Sequence, residues 1–189
     1  MAAITGFFHG GVTVRDMDVS LHFYRDGLGL DVHYDRILDA PYLKEVLGLP
    51  LHHIRGVYLR IPGSDGFVEL LEYRGIERLS AESRPCDYGA GHLCLYVDDV
   101  EALHARLVGL GFHARSERVV DITAGPNAGA RSCYMSDPDG YAVELFQKPA
   151  AKLRRGVLRG SANAGINGDN IDKRVPVRLW SRPDRQRSQ

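Results

Sequence analysis

Residues 9–19 read HGGVTVRDMDV, and residues 92–102 read HLCLYVDDVEA. In each stretch a histidine opens a short apolar segment, and an acidic turn follows it. An amphipathic segment comes next and ends in Leu-Gly, at Gly29 in the first copy and at Gly111 in the second. A short apolar run indicates a strand, and apolar residues three or four positions apart indicate a helix. We interpret the two stretches as two copies of one strand–helix unit.

The two copies also end alike. The first closes with DGFVELL at 65–71 and the second with DGYAVELF at 139–146. An Asp-Gly pair is a common turn that leads into a strand. Each of these strands carries one glutamate, Glu69 in the first copy and Glu144 in the second.

This repeat predicts an α+β fold in which two βαβββ modules, at about 6–74 and 89–148, form a cupped mixed sheet with helices on its outer face. Asp16 and Asp99 lie where the N-cap of the first helix of each module is expected. The first copy is longer because of an insertion around 34–53, where we expect one additional short helix that begins at a proline.

Composition limits the functional classes. Lys+Arg and Asp+Glu number 24 each, so no net charge favours nucleic acid or an anionic membrane as a partner. No apolar run reaches the ~20 residues that cross a bilayer, and the first residues do not resemble a signal peptide. The 3 cysteines are widely spaced and form no disulfide framework, which is typical of a reducing compartment. We therefore expect a soluble cytoplasmic protein with neither nucleic acid nor a membrane as its partner.

The segment 150–189 differs from the rest of the chain because it is rich in Arg, Gly, Asn, Asp and Ser. It has too few apolar residues for a core, so we interpret it as a basic, polar and flexible tail. The alternative is a strand or clasp that docks on the body or on a second subunit through Leu179 and Trp180.

The repeated polar residues of the strands are candidate metal ligands. His9 and His92 begin the first strand of each copy, and Glu69 and Glu144 lie on the last. If the copies pack about a pseudo-twofold axis, these four side chains can converge on one point. Two imidazoles and two carboxylates suit a divalent ion such as zinc, nickel, cobalt, manganese or iron(II). Glu72 is excluded because it lies three residues beyond Glu69 and so faces the opposite side of the strand.

The sequence resembles the vicinal oxygen chelate superfamily, which includes glyoxalase I, extradiol dioxygenases, fosfomycin-resistance proteins and bleomycin-resistance proteins. The resemblance covers about 6–148 and is carried by HGGVTVRD from His9, FYRDGLG from Phe23, Gly91-His92 and DPDGYAVEL from Asp137. It implies paired βαβββ modules with metal and substrate in the concavity of the sheet. It also implies a homodimer, with the site either within one chain or across the interface.

The four candidate ligands are similar to those of bacterial glyoxalase I. This likeness implies an isomerase or lyase that holds a divalent metal ion. Zinc and nickel are the favoured ions, and iron(II), manganese and cobalt are further possibilities. Such a metal stabilises an enediolate while a carboxylate moves a proton between adjacent carbons. Glu144 is the first candidate for that base and Glu69 is the second.

Other features leave the substrate and the activity open. Arg131 is a candidate anion contact, and Tyr58 and Tyr134 are candidates to line the substrate cavity. The insertion and the lack of a recognisable set of residues for a thiol cofactor both depart from glyoxalase I. Two alternatives therefore remain: an extradiol-type iron(II) or manganese dioxygenase that acts on an aromatic substrate, and a small-molecule-sequestering resistance protein.

Overall fold

The computed structural model of the chain describes residues 1–50, 53–80 and 83–149, which all belong to one compact unit. The segment 150–189, interpreted from its composition as a tail, lies outside the described residues. Within the described part, no helix is both long and apolar enough to span a membrane.

The first module contains four strands and two helices. In chain order its elements are β1 (His9–Thr13), α1 (Met17–Leu21), a π-helical segment (His22–Gly27), β2 (Asp31–Leu38), α2 (Tyr42–Leu47), β3 (His53–Arg60) and β4 (Phe67–Arg74). The strands form a 4-stranded sheet in the order β1-β4-β3-β2, in which β1 is parallel to β4 and the other pairs are antiparallel. The short helix expected in the insertion is α2, which runs from Pro41 as N-cap to Gly48 as C-cap.

The second module repeats this connectivity. Its elements are β5 (His92–Tyr96), α3 (Val100–Gly109), β6 (Val120–Asp121), β7 (Arg131–Ser136) and β8 (Ala142–Gln147). These strands form a second 4-stranded sheet in the order β5-β8-β7-β6, again with the first strand parallel to the last. The α+β class and the two βαβββ modules are therefore confirmed, and each module has a separately hydrogen-bonded sheet.

The starts of the two main helices are fixed by aspartate caps, as the sequence predicts. The Asp16 carboxylate accepts hydrogen bonds from the backbone N–H groups of Asp18 and Val19, at 2.9 and 3.1 Å. The Asp99 carboxylate accepts one from Ala102 at 3.0 Å. These bonds satisfy N–H groups that have no partner within the helix.

The first helix differs from the ordinary helix expected there, because its second half is π-helical. The Leu28 N–H donates to the carbonyl of Phe23, five residues earlier, at 2.8 Å. Gly27 ends this segment at a close approach to α3, since a Cβ atom there would lie 2.7 Å from the Leu107 side chain. The first helix and α3 therefore meet at a position that only glycine fits without displacement of Leu107.

The two modules share one hydrophobic core and one buried polar link. Buried residues of both modules belong to a single cluster that includes Phe23, Leu107 and Val143. Within it, the buried Tyr24 hydroxyl donates to an Asp137 carboxylate oxygen at 2.9 Å. The second Asp137 oxygen accepts backbone N–H groups of the turn before β8, at 2.7 and 2.9 Å. Burial raises the pKa of the Asp137 carboxyl group.

Candidate metal centre

Strand alternation separates the candidate ligands from the core. In β1 and β4 the buried residues Val12, Val68 and Leu70 belong to the shared core. His9 and Glu69 alternate with them and so lie on the other side of the sheet. We call this side of each sheet, opposite the shared core, the site face.

In the first module His9 and Glu69 form one pair. The Nε2 atom of His9 lies 3.0 Å from an Oε atom of Glu69, and Glu69 is only 7% exposed. Tyr58 is the cross-strand partner of Glu69. Burial raises the pKa of the Tyr58 hydroxyl, and the nearby Glu69 carboxylate raises it further. Among the described residues, the buried Nδ1 atom of His9 has no hydrogen-bond partner.

In the second module His92 and Glu144 form the equivalent pair. The His92 Nε2 atom lies 3.4 Å from Glu144 Oε2. Two hydroxyls hold this carboxylate: Ser132 donates to Oε1 at 2.8 Å, and Tyr134 donates to Oε2 at 3.0 Å. Burial, reinforced by the carboxylate, raises the pKa of Tyr134 to about 12, so the phenol stays protonated and able to donate.

The predicted ligands are therefore brought together as two pairs. Each histidine meets the glutamate of its own module. In residues 1–50, 53–80 and 83–149, no group of three or more His, Cys, Asp or Glu side chains could hold a metal ion by itself. The convergence of all four ligands on one point, expected from pseudo-twofold symmetry, does not occur within these parts of the single chain.

Tyr58 and Tyr134 occupy equivalent places, because each is the cross-strand partner of its module's glutamate. The sequence offered both as candidates to line the substrate cavity, and in the structure both lie on the site faces beside the glutamates. The structure also shows a contact that the sequence did not predict, which is the hydrogen bond that Tyr134 donates to Glu144.

Two residues beside the His92–Glu144 pair, Ser132 and Cys94, were not predicted from the sequence as part of the site. Ser132 lies two residues before Tyr134, and Cys94 lies two residues after His92, so strand alternation alone would have placed both on the site face. Cys94 is the register partner of Glu144. Burial, together with that carboxylate, raises the pKa of the Cys94 thiol to about 11, which keeps it neutral.

The structure does not bring Arg131 to the site, although the sequence offered it as an anion contact. Arg131 begins β7 on the side of the sheet that carries the buried Cys133. There it forms ion pairs with Glu101 of α3 and with Asp121 of β6, the latter at 3.1 Å. Its charge is thus already balanced on the face opposite Glu144.

Glu72 lies away from the candidate ligands, as strand alternation predicts. It lies on the core side of β4 and receives two hydrogen bonds from the Arg74 guanidinium, at 2.9 and 3.1 Å. Glu72 can therefore serve as a control for substitutions of Glu69, because it lies on the same strand but on the other face.

A cavity of about 740 Å³ lies beside the candidate centre but does not contain the predicted ligands. It is lined by residues 11–15 of the first module, by Arg78 in the connection between the modules, and by Gly91 and Tyr141 of the second. The carboxylates themselves lie on the site faces, where the Glu69 and Glu144 side chains are 9% and 15% exposed. The candidate donor atoms meet on those faces and not in the cavity.

Comparison with known proteins agrees with this architecture. Residues 6–145 match the family model of the Glyoxalase/Bleomycin resistance protein/Dioxygenase superfamily. The chain belongs to this superfamily. The resemblance that the repeated motifs carry is thereby confirmed, and the match spans both βαβββ modules.

Individual proteins that are similar to this chain share less than a third of their aligned residues with it. A 2-epi-5-epi-valiolone epimerase from Actinomyces sp is 28% identical over 147 residues, which are 75% of this chain and 79% of that protein. The trypanothione-dependent glyoxalase I of Leishmania major is 26% identical, with a TM-score of 0.53 over 76% of this chain and 87% of that chain. A glyoxalase family protein from Bacillus cereus is 16% identical with a TM-score of 0.68, over 79% of this chain and 97% of the other. The last likeness shows the fold alone.

Proposed function

We propose that this protein is a metal-dependent isomerase or lyase of the glyoxalase type, which acts on a small oxygenated substrate by proton transfer. The observation that carries the proposal is the repeated pair of ligands. In both modules an imidazole nitrogen and a carboxylate oxygen lie within 3.0 to 3.4 Å of each other on the site face. In both, a tyrosine lies opposite that glutamate in the sheet, and in the second module Tyr134 donates a hydrogen bond to the carboxylate.

The donor atoms fit a divalent ion. His9 and His92 present Nε2 atoms, Glu69 and Glu144 present carboxylate oxygens, and the two carboxylates balance a charge of +2. Nitrogen and oxygen ligands of this kind suit zinc or nickel, and also cobalt, manganese or iron(II). When bound, such an ion supplies Lewis-acid polarisation of a substrate oxygen.

Glu144 is the better placed of the two carboxylates to move a proton. Ser132 and Tyr134 donate to its two oxygens and fix the plane of the carboxylate. A carboxylate held in this way can accept a proton from the substrate carbon next to the polarised oxygen and return it to a neighbouring carbon. Glu69 is more deeply buried, so we keep it as the second candidate.

The similarity to an epimerase supports chemistry without oxidation. Epimerisation of a carbon next to a carbonyl group requires removal of a proton and its return, which is the same elementary step as in a glyoxalase-type isomerisation. Similarity to a glyoxalase I points in the same direction.

We propose further that the protein is a homodimer and that the second copy completes the ligand set. Each described module supplies one His–Glu pair, and no single group of three ligands forms within the described residues. In a symmetric dimer, the first module of one protomer can face the second module of its partner, which creates two identical four-ligand sites. This arrangement explains why each of the two modules carries only one half of a four-ligand set.

Mixing two inactive variants tests the shared site. Glu69→Gln damages the first module and Glu144→Gln damages the second, so each homodimer is expected to have two defective sites. After subunit exchange, a mixed dimer has one intact site and one doubly damaged site. We expect activity to return to about a quarter of the wild-type value in an equimolar mixture, measured after partial unfolding and refolding together.

The control for this mixture is each variant refolded alone, which should remain inactive. Activity in the mixture no higher than the mean of the separate variants would refute the shared site. Analytical ultracentrifugation gives an independent check, because a monomer is incompatible with the shared site.

Aromatic side chains near His9 favour one alternative, an oxygenase that acts on an aromatic substrate. The rings of Phe8 and Tyr58 lie 4.8 and 5.6 Å from the His9 ring. Such a surface suits a planar substrate as well as a small oxygenated one.

Metal content and oxygen uptake decide between these activities. We expect about one equivalent of zinc or nickel per site by elemental mass spectrometry, and no oxygen uptake with catechols. Turnover of a hemithioacetal or a related hydroxy carbonyl compound would support the isomerase. Iron or manganese together with oxygen consumption would favour the dioxygenase instead. A protein that holds no metal even after reconstitution would leave sequestration of a small molecule as the function.

A further inference from the structure

A β-bulge brings His33 to the site face of the first module. Val32 pairs with Leu59 and Tyr34 pairs with Tyr58, so His33 is an extra residue in β2.

The His33 ring stacks on Phe67, with centroids 5.2 Å apart and an interplanar angle of 26°. Phe67 alternates with core residues in β4 and lies two residues before Glu69, on the same face. Bulges commonly re-aim a side chain in this way beside a functional site.

Arg60 is held by this histidine and this phenylalanine. Its Nη2 atom lies 2.8 Å from His33 Nδ1, and its guanidinium carbon lies 5.7 Å from the centre of the Phe67 ring. Because arginine has only donors, the Nδ1 atom of His33 must be the acceptor of this bond. The bond and the ring fix the plane of the guanidinium while its other N–H groups stay available.

Arg60 forms no ion pair within 4.0 Å among the described residues, although Asp31 is its cross-strand partner in β2. Arginines on the core side behave differently. Arg55 forms ion pairs with Asp18 and Asp35, at 2.7 and 2.8 Å. A cation that is oriented but not neutralised is suited to bind an external anion.

A row of aromatic rings connects Arg60 to the candidate metal ligands. Phe67 lies 5.8 Å from Tyr58, and Tyr58 lies 5.6 Å from His9. Arg60 is opposite Phe67 and Tyr58 is opposite Glu69 in the sheet. The two positions are thus separated by two residues, or about 7 Å along the strand, which is the length of a small organic molecule.

We infer that Arg60, positioned by His33, binds the anionic group of the substrate, a carboxylate or a phosphate. The body of the substrate then lies over Phe67 and Tyr58, and its oxygen atoms reach His9 and Glu69. This inference rests on the proposed function for the reacting end of the molecule. The anion subsite itself depends only on Arg60 and its neighbours, so it can be tested separately.

Three small aromatic probes test the subsite on the full-length chain, from which a chelator has removed any metal. Benzoate and phenyl phosphate carry the two candidate anionic groups, and benzamide is the neutral comparison. Their dissociation constants are measured by following amide chemical shifts during titration. We expect the better anion to bind more tightly than benzamide, and Arg60→Gln to weaken that anion by about 10- to 100-fold. The anion that binds better identifies the group, carboxylate or phosphate.

Three variants serve as comparisons. Arg60→Lys keeps the charge but loses the planar fork, so it should bind with intermediate affinity. Arg36→Gln removes a cation from the same face, where Arg36 lies 5.2 Å from the Tyr34 ring, and should change affinity little. Glu69→Gln should retain anion binding, so the subsite can stand even if the metal function fails.

Several results would overturn the inference. Unchanged anion affinity in Arg60→Gln, with a normal amide spectrum, would exclude Arg60 as the anchor. An equal loss in Arg36→Gln would indicate a general effect of charge on this face. Binding of benzamide as tight as that of both anions would show that no anion subsite exists.

Discussion

Replacing Glu144 by glutamine is expected to abolish tight metal retention and turnover. An amide is neutral and a poor ligand for a divalent ion, and it cannot accept a proton from carbon. The change also removes the negative charge to which Ser132 and Tyr134 donate. We expect metal affinity to fall by more than about 100-fold, because loss of a direct ligand should exceed the effect of losing a supporting residue. Metal content after dialysis, and turnover, are the measurements.

Glu72→Gln is the matched control for the glutamates of the site faces. It makes the same chemical change in β4, three residues beyond Glu69, but on the core side next to Arg74. Metal content and turnover should stay close to wild type in this variant. Tyr134→Phe should have an intermediate effect of about 10-fold, since it removes one supporting hydrogen bond and keeps the ligand. Normal metal content and activity in Glu144→Gln would refute the ligand assignment.

The fold could be predicted because its signals are local and occur twice. Asp16 and Asp99 cap helices through contacts with residues two or three positions away. Gly29 and Gly111 adopt positive φ angles of 78° and 88° after their helices, where a residue with a Cβ atom is disfavoured. Each signal involves only neighbours in the chain, so the sequence contains the necessary information.

The face on which a strand residue lies was also predictable, because side chains alternate between the two faces of a strand. The placement of Arg131 differed from the expectation because this rule was not applied to it. Strand alternation correctly excluded Glu72. The same rule applies to Arg131, which is three residues from Tyr134 and therefore on the other side of β7. In the sequence, the glycine-rich stretch before Arg131 conceals the start of the strand.

The division of the ligands into two pairs was not predictable from local patterns. It depends on how the modules pack, and that packing rests on contacts between distant residues. Gly27 approaches Leu107, and Tyr24 donates to Asp137 across the two modules. The bulge at His33 is likewise visible only in the register between β2 and β3. Long-range pairing therefore determines which chemically capable residues share a site.

The buried link between the modules should be the most sensitive point for stability. Asp137→Ala removes a carboxylate that accepts hydrogen bonds from the Tyr24 hydroxyl and from two backbone N–H groups. Donors left without a partner in a buried site each cost about 1 to 3 kcal/mol, so we expect the unfolding free energy to fall by about 3 to 5 kcal/mol. That loss is a large share of the roughly 5 to 15 kcal/mol typical of a domain. Urea denaturation measures it.

Two milder variants resolve the contributions to this loss. Tyr24→Phe removes only the hydroxyl and leaves both backbone donors satisfied, so it should cost about 1 to 2 kcal/mol. Asp137→Asn retains an acceptor for the backbone N–H groups and should also cost less than alanine. Equal losses in Asp137→Ala and Tyr24→Phe would show that the backbone hydrogen bonds contribute nothing measurable.

Asp137→Asn also isolates the effect of pH on this link. Burial raises the pKa of the Asp137 carboxyl group above its ordinary value, and the charge of Asp139 adds to the shift. Between the unfolded and the folded pKa, the native state therefore binds more protons than the unfolded state. Stability from this group is greatest below the unfolded pKa and falls as pH rises through that window. The unfolding free energy of the wild type minus that of Asp137→Asn should decrease with rising pH across mildly acidic conditions. A difference that increases instead would mean that the hydrogen bonds from Tyr24 and the turn outweigh burial and hold the carboxylate ionised.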